Sequence, residues 1–167
     1  MGVAGCGKSV VGAALAARLG LPLVEGDDFH PAGNVEKMRQ GVALTDADRA
    51  DWLRRLQQQL RAHPQGAVLT CSALKRAYRD TLRAGAPRVR FLHLALTPAQ
   101  AQERVAARSD HFYPASLVAS QFAALEDPAG EPDVHAADAC APVARIVEEM
   151  AVRLIPPEVR TPHVVQR

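Results

Sequence analysis

The sequence predicts an α/β fold in which helices cover both faces of a parallel β-sheet. Short apolar segments with the length of buried strands alternate with segments of helical periodicity along the 167 residues. The stretches between successive strands are long enough for right-handed βαβ crossovers. A glycine-rich phosphate-binding loop also comes directly before the first helix. We therefore expect one three-layer α/β/α domain over residues 1–155, followed by a flexible tail at residues 156–167.

The phosphate-binding loop begins the sequence, as Gly2-Val3-Ala4-Gly5-Cys6-Gly7-Lys8-Ser9. This is a complete G-x-x-x-x-G-K-S pattern, and we expect all eight residues to contact a nucleotide such as ATP. Its glycines can adopt positive φ, so that several backbone N–H groups turn toward one anion at the start of a helix. Lys8 would act on the β- and γ-phosphates as a catalytic cation, and the Ser9 hydroxyl would bind Mg²⁺. The alternative is a glycine-rich turn without function, which the helical pattern after Lys8 disfavours.

The predicted strands are apolar segments that end at turn residues or polar residues. In chain order they cover residues 21–25, 67–71, 89–96 and 134–138. The predicted helices have apolar residues three or four positions apart. In chain order they cover residues 8–19, 35–40, 46–63, 75–84, 98–107, 115–125 and 143–154. Thr45 or Asp46 is the expected N-cap of the third helix, Thr97 and Pro98 begin the fifth, and Trp52 is expected in the core.

No segment before the phosphate loop can supply the strand that normally leads into such a loop, which is central in this type of fold. Its loss would remove several buried aliphatic side chains, each worth ~1.5–3 kcal/mol, from a domain with a typical net stability of ~5–15 kcal/mol. We therefore expect that translation starts upstream and that Met1 is an internal methionine at the end of this strand. A longer chain that includes the upstream residues would test this expectation.

Composition excludes several classes of function. The formal net charge is +2 and the basic residues are scattered, which argues against nucleic acid or an anionic membrane as a partner. The three cysteines are odd in number and far apart, which favours a reducing cytoplasm over a disulfide framework. No apolar run approaches the ~18 residues of a membrane-spanning helix. The histidines have no metal-ligand spacing, so we do not expect a zinc site.

Four segments then resemble one family. The segment Gly26-Asp27-Asp28-Phe29-His30-Pro31, with Asn34, Lys37, Met38 and Gly41, is similar to the signature of the gluconate kinases. The same resemblance continues in residues 44–53, 71–83 and 104–128, in the order of the family. It implies a P-loop kinase fold with a mobile helical lid, and ATP- and Mg²⁺-dependent phosphorylation of D-gluconate to 6-phospho-D-gluconate. Two alternatives stay open: a kinase for another small hydroxy acid, such as shikimate, and a catalytically inactive nucleotide-binding protein.

Glu25 and Asp27 are the candidate acidic residues of this kinase site. If both stood in one strand they would point to the same side, toward the carboxyl ends of the parallel strands. We expect Asp27 to be the catalytic base or to orient the acceptor hydroxyl, and Glu25 to support the metal through a bound water. A solvated charge at the strand end is the alternative for Glu25, and a structural N-cap is the alternative for Asp27.

Basic residues complete the predicted site. His30, Arg49, Lys75 and Arg79 are candidates for binding a polyhydroxy carboxylate, because cations and the bidentate arginine fork suit that group. His30 could instead cap a turn, and Arg79 could pair with Asp80 or Glu36. By resemblance, Arg104 and Arg108 would close over the triphosphate as part of the lid, Arg108 in a catalytic role. The expected partners are ATP and D-gluconate; the sequence leaves the oligomeric state open, with a homodimer as one candidate.

Overall fold

The computed structural model describes residues 1–107 and 117–154. Within these ranges, four short strands alternate with helices. The strands are β1 (Leu23–Glu25), β2 (Val68–Thr70), β3 (Phe91–Ala95) and β4 (Val134–Asp138). The helices are α1 (Lys8–Leu19), α2 (Ala32–Arg39), α3 (Asp46–Ala62), α4 (Arg76–Arg83), α5 (Pro98–Ala106), α6 (Val118–Ala124) and α7 (Val143–Leu154). Each of them lies within a few residues of a predicted element, so the α/β prediction is confirmed.

The strands form two parallel pairs. β1 pairs with β2, with Leu23 opposite Val68, and β3 pairs with β4, with Phe91 opposite Val134. The backbone of Met1 and Gly2 lies between the pairs. The Leu94 N–H donates to the Met1 carbonyl at 3.0 Å, and the Gly2 N–H donates to the Ser72 carbonyl at 3.1 Å. The phosphate loop therefore starts between β2 and β3, where the carboxyl ends of parallel strands meet.

Two hydrophobic clusters cover opposite faces of the strands. The first is built by α1, α5, α6 and α7 and includes Leu15, Leu94 and Ile146. The second is built by α3 and α4 and includes Leu56 and Phe91. In β3, Phe91 belongs to the second cluster and Leu94 to the first, because side chains alternate between the faces of a strand. The result is the predicted three-layer arrangement of helices, strands and helices.

Local capping chemistry sets where two helices begin. The Thr45 hydroxyl accepts a hydrogen bond from the Asp48 N–H while the Asp48 carboxylate accepts one from the Thr45 N–H, so Thr45 is the N-cap of α3. Thr97 and Gln100 form the same capping box in α5, with Pro98 in its first turn. Both starts agree with the sequence prediction. No helix within the described ranges is long and apolar enough to cross a membrane.

Candidate active site

The phosphate loop has the geometry of an anion-binding nest. Gly2, Gly5 and Gly7 adopt φ values of 141°, 82° and 90°, in the region that favours glycine, and α1 begins directly after them at Lys8. A Cβ atom on Gly2 would lie 2.8 Å from the Leu94 carbonyl oxygen, so this position also lacks room for a side chain. The Lys8 ammonium donates to the carbonyl oxygens of Gly2 and Val3, each at 3.1 Å. It thus lies along the loop where phosphate oxygens would bind.

Helix α6 contributes a contact to this loop that the sequence did not reveal. The Ala4 N–H donates to the Oε1 atom of Gln121 at 2.6 Å, and Gln121 is buried. Gln121 stands in the family-like segment 104–128, but nothing in its sequence context assigns it a partner 117 residues away. Cys6 is 1% exposed, which fits a small packing residue better than a reactive thiol.

Three oxygen-bearing side chains meet beside the start of α1. The Ser9 hydroxyl donates to Glu25 Oε2 at 3.1 Å, and the Thr70 hydroxyl donates to the same oxygen at 2.6 Å. Thr70 also accepts a hydrogen bond from the Gly26 N–H at 3.1 Å, which fixes the end of β1 against the end of β2. Hydroxyl and carboxylate oxygens are the donors that suit Mg²⁺, which usually keeps several waters and is shared with substrate phosphates. These residues therefore fit a magnesium site.

Asp27 does not share a strand with Glu25, contrary to the premise from the sequence. β1 ends at Glu25, and Gly26–Phe29 form a 3₁₀ turn whose tight winding breaks the alternation of side chains. The Glu25 carboxylate points to Ser9 and Thr70, whereas the Asp27 side chain is exposed. Both carboxylates remain at the carboxyl end of β1, but their neighbours differ. Their separate roles rest on this difference in contacts and not on a common strand face.

His30 lies directly after this turn against the core tryptophan. Its ring stacks on Trp52 with centroids 4.2 Å apart and an angle of 11° between the planes. Trp52 is 1% exposed, as predicted for a core residue, and its Nε1–H donates to the Gly26 carbonyl at 2.7 Å. The Nδ1 atom of His30 is buried and has no hydrogen-bond partner among the described residues. Burial lowers the pKa of His30 to about 4, so the imidazole is neutral at pH 7.

Lys75 and Arg49 converge on Tyr78. The Lys75 ammonium contacts the two carboxylate oxygens of Asp46 at 2.7 and 2.8 Å and lies 5.8 Å from the centroid of the Tyr78 ring. The Arg49 guanidinium lies 6.0 Å from the same centroid, and the Tyr78 hydroxyl donates to Asp46. The hydrogen bond from Lys75 lowers the pKa of Asp46, and burial raises the pKa of Tyr78. Two of the predicted substrate cations thus lie side by side, with two partners that the sequence analysis did not select.

Arg79 lies outside this group, and its predicted role in substrate binding needs correction. The side chain is 1% exposed. It donates to the carbonyl oxygens of Ala73 and Leu74, each at 2.9 Å, and to the carboxylate of Glu131 at 3.0 Å. Its partner is therefore neither Asp80 nor Glu36. A buried guanidinium whose donors are already paired has no free donor for a ligand.

Arg104 and Arg108 are the two arginines predicted for the lid. Arg104, at the end of α5, donates from Nη1 to the Ala139 carbonyl at 3.1 Å and lies 3.6 Å from the sulfur of Cys140. Its guanidinium therefore contacts the loop after β4, while its Cβ atom lies beside the phosphate loop, 3.5 Å from where a Cβ atom on Gly5 would be. Arg108 and the remainder of the predicted lid, residues 108–116, lie outside the described residues.

Comparisons with known proteins agree on one family. A family profile described as an AAA domain matches residues 1–132. The gluconokinase of Gluconobacter oxydans (strain 621H) is 48% identical over 137 residues, which are 80% of this chain and 77% of that protein. The thermosensitive gluconokinase of Escherichia coli (strain K12) is 42% identical over 153 residues, which are 89% of this chain and 82% of that protein.

Solved structures show the same similarity in three dimensions. A crystal structure of a gluconokinase from Sinorhizobium meliloti 1021 has a TM-score of 0.84 at 44% identity and covers 92% of this chain and 88% of its own. The unliganded crystal structure of a sugar kinase from Janibacter sp. HTCC2649 has a TM-score of 0.88 at 40% identity, with coverages of 97% and 96%.

Proposed function

Because this chain belongs to the gluconokinase family, we propose that its site transfers the γ-phosphate of ATP to D-gluconate and forms 6-phospho-D-gluconate. One observation supports a site in which the ATP donor and the gluconate acceptor bind next to each other. The loop after β2 contacts the phosphate loop at Ser72, through the Gly2 N–H, and holds Lys75 only three residues later. Three residues span at most about 11 Å. The backbone that carries the cation for an acceptor carboxylate therefore lies within about 11 Å of the residue that contacts the phosphate loop, which supports placing acceptor and donor next to each other.

The donor side is the phosphate loop with its metal ligands. The Gly2 and Ala4 N–H groups stay paired with Ser72 and Gln121, and other backbone N–H groups of the loop surround the triphosphate. The Lys8 ammonium leaves the carbonyls of Gly2 and Val3 to contact the transferring phosphate. Ser9 would hold Mg²⁺, and Glu25 with Thr70 would support it, because these three side chains already meet beside the loop. Mg²⁺ supplies charge neutralisation on the β- and γ-phosphates when it is bound. Arg108, which lies outside the described residues, would add positive charge to the transferring phosphate.

The acceptor side holds the sugar acid and its reacting hydroxyl. Lys75 and Arg49 bind the carboxylate, while the neutral imidazole of His30 makes a hydrogen bond to the polyol chain. Asp27, exposed at the end of β1, orients the C6 hydroxyl and accepts its proton. The hydroxyl oxygen forms the new bond to phosphorus as the bond from the γ-phosphorus to the bridging oxygen of ADP breaks. Arg79 is not part of this contact set.

Release of ADP tests this proposal and separates the alternatives. The wild-type protein is expected to release ADP when D-gluconate is added to ATP and Mg²⁺, and not when shikimate is added. Asp27→Asn is expected to lower kcat by about 10²–10⁴-fold, and the neighbouring exposed Asp28→Asn is the matched control. ATP binding without gluconate-dependent ADP release would instead support an inactive nucleotide-binding protein. Full activity of Asp27→Asn would exclude an essential base at that position.

Two further expectations from the sequence have no support in the contacts described above. The homodimer stays a prediction, which size-exclusion chromatography with light scattering tests directly. The cytoplasmic location also stays a prediction, and fractionation of cells that produce the protein would test it.

A further inference from the structure

The loop that carries Lys75 has an unusual backbone conformation. This acceptor loop, Ser72–Lys75, joins β2 to α4. Ala73 has a φ of 45°, which residues with a Cβ atom rarely adopt, and it is the one non-glycine residue with positive φ among the described residues. Ala73 and Leu74 are 1% and 0% exposed. Their carbonyl groups therefore need partners inside the protein.

Arg79 bonds to both of these carbonyl groups, and the Leu74 carbonyl also accepts from the Glu126 N–H at 3.0 Å. Its Nη1 atom donates to the Ala73 and Leu74 carbonyl oxygens, each at 2.9 Å. The other side of the same guanidinium is anchored on the carboxylate of Glu131, with the Nε atom at 3.0 Å from Oε1. The hydrogen bonds from Arg79 lower the pKa of Glu131 to about 2, so this anchor is charged at neutral pH. The planar fork thus joins the acceptor loop to a fixed anion.

We propose that Arg79 is a positioning residue that holds the acceptor loop in the conformation that directs Lys75 to the carboxylate of the acceptor. This inference rests on the proposed function, since the carboxylate belongs to gluconate. Arg79 acts through the two carbonyl groups and does not touch the substrate. Lysine cannot replace it, because one ammonium cannot reach two carbonyls and a carboxylate with the geometry of the planar fork.

Arg83 provides a matched control for a role in stability alone. It lies one helical turn after Arg79 in α4 and shares the carboxylate of Glu131, and it also contacts Asp133 and Asp80. None of its hydrogen bonds goes to the acceptor loop. If the ion cluster only stabilised the fold, the effects of Arg79→Lys and Arg83→Lys on activity would both follow their effects on stability.

The test compares Arg79→Lys, Arg83→Lys and the wild type by kcat, by KM for gluconate and by urea unfolding. In Arg79→Lys we expect KM for gluconate to rise about fivefold or more and kcat to change less than about threefold, because carboxylate binding is remote from the reacting hydroxyl. Arg83→Lys keeps KM within about twofold of wild type. If Arg79→Lys does not fold, Glu131→Gln takes its place. This variant keeps both arginines and removes the charged anchor, and we expect it to raise KM for gluconate as well.

The outcomes separate this inference from the proposed function. A wild-type protein without gluconate-dependent ADP release contradicts the proposed function itself. If the wild type is active, the inference depends on KM for gluconate in Arg79→Lys, or in Glu131→Gln if Arg79→Lys does not fold. A KM within about twofold of the value for Arg83→Lys overturns the inference. A rise in KM that Arg83→Lys also shows at equal loss of stability overturns it as well.

Discussion

Burial of His30 predicts a specific dependence of stability on pH. Its ring stacks on Trp52 and its Nδ1 atom has no partner among the described residues, so protonation would place an uncompensated charge beside the core. The Asp27 carboxylate opposes this effect and Arg49 reinforces it, but burial dominates and lowers the pKa from 6.5 to about 4. The unfolded chain therefore binds more protons than the folded chain between pH 4 and pH 6.5, and the free energy of unfolding falls as the pH falls through this window.

The size of the effect follows from the two pKa values. Linkage with pKa values of 6.5 and about 4 gives a loss of about 2 kcal/mol between pH 7.5 and pH 5. His93, whose pKa burial also lowers, adds a change of the same sign. Most paired carboxylates stay charged above pH 5, so the comparison avoids their titration.

Urea unfolding of the wild type and of His30→Gln at pH 7.5 and pH 5 measures this quantity. The difference between the two pH values should be about 2 kcal/mol larger in the wild type, whatever the absolute stability of the variant. The contribution of His93 is present in both proteins and cancels in the comparison. Equal pH dependence in the two proteins would show that His30 titrates in the folded state as it does in the unfolded chain, and would contradict the effect of its burial.

Four further substitutions test the packing and the donor site. Gly26→Ala should lower the free energy of unfolding by about 3 kcal/mol in urea titrations, because its Cβ atom would lie 2.0 Å from the Thr70 carbonyl oxygen. The control is Gly33→Ala in α2, whose Cβ atom would have no neighbour within 4 Å and which should stabilise the protein by about 0.5–1 kcal/mol. Equal effects of the two substitutions would contradict the packing around Gly26. Glu25→Gln should raise the Mg²⁺ concentration for half-maximal rate about tenfold, and an unchanged Mg²⁺ titration would remove Glu25 from the metal site. Lys8→Ala should lower kcat about 10²–10³-fold with the fold retained by circular dichroism, and wild-type turnover would exclude its contact with the transferring phosphate.

Most of the fold could be predicted because its signals are local. The glycines of the phosphate loop, the capping box at Thr45 and the proline after Thr97 each determine backbone geometry within a few residues. The role of Asp27 stays a prediction, but the premise that it shares a strand face with Glu25 was wrong. The sequence analysis ended the strand at residue 25 but did not predict the 3₁₀ turn that follows, because this turn is held by contacts of Gly26 with Thr70 and Trp52, more than 25 residues away in the sequence.

The candidate site was predicted less completely because its partners come from distant parts of the chain. The sequence selected Lys75 and Arg49 by charge but could not show that Asp46 and Tyr78 complete their cluster. Arg79 has the charge expected of a substrate ligand, and only the fold reveals that Glu131, 52 residues later, holds it in the interior. Residue type alone does not distinguish a cation that binds a substrate from one that binds the backbone.

The central claim is transfer of the γ-phosphate of ATP to carbon 6 of gluconate at this site. Phosphorus NMR of a reaction with ATP, Mg²⁺ and D-gluconate labelled with ¹³C at carbon 6 observes that bond directly. We expect a new phosphomonoester resonance that is coupled to the labelled carbon and grows as the γ-phosphate resonance of ATP declines. Formation of inorganic phosphate alone, or of a phosphomonoester without coupling to carbon 6, would contradict the central claim.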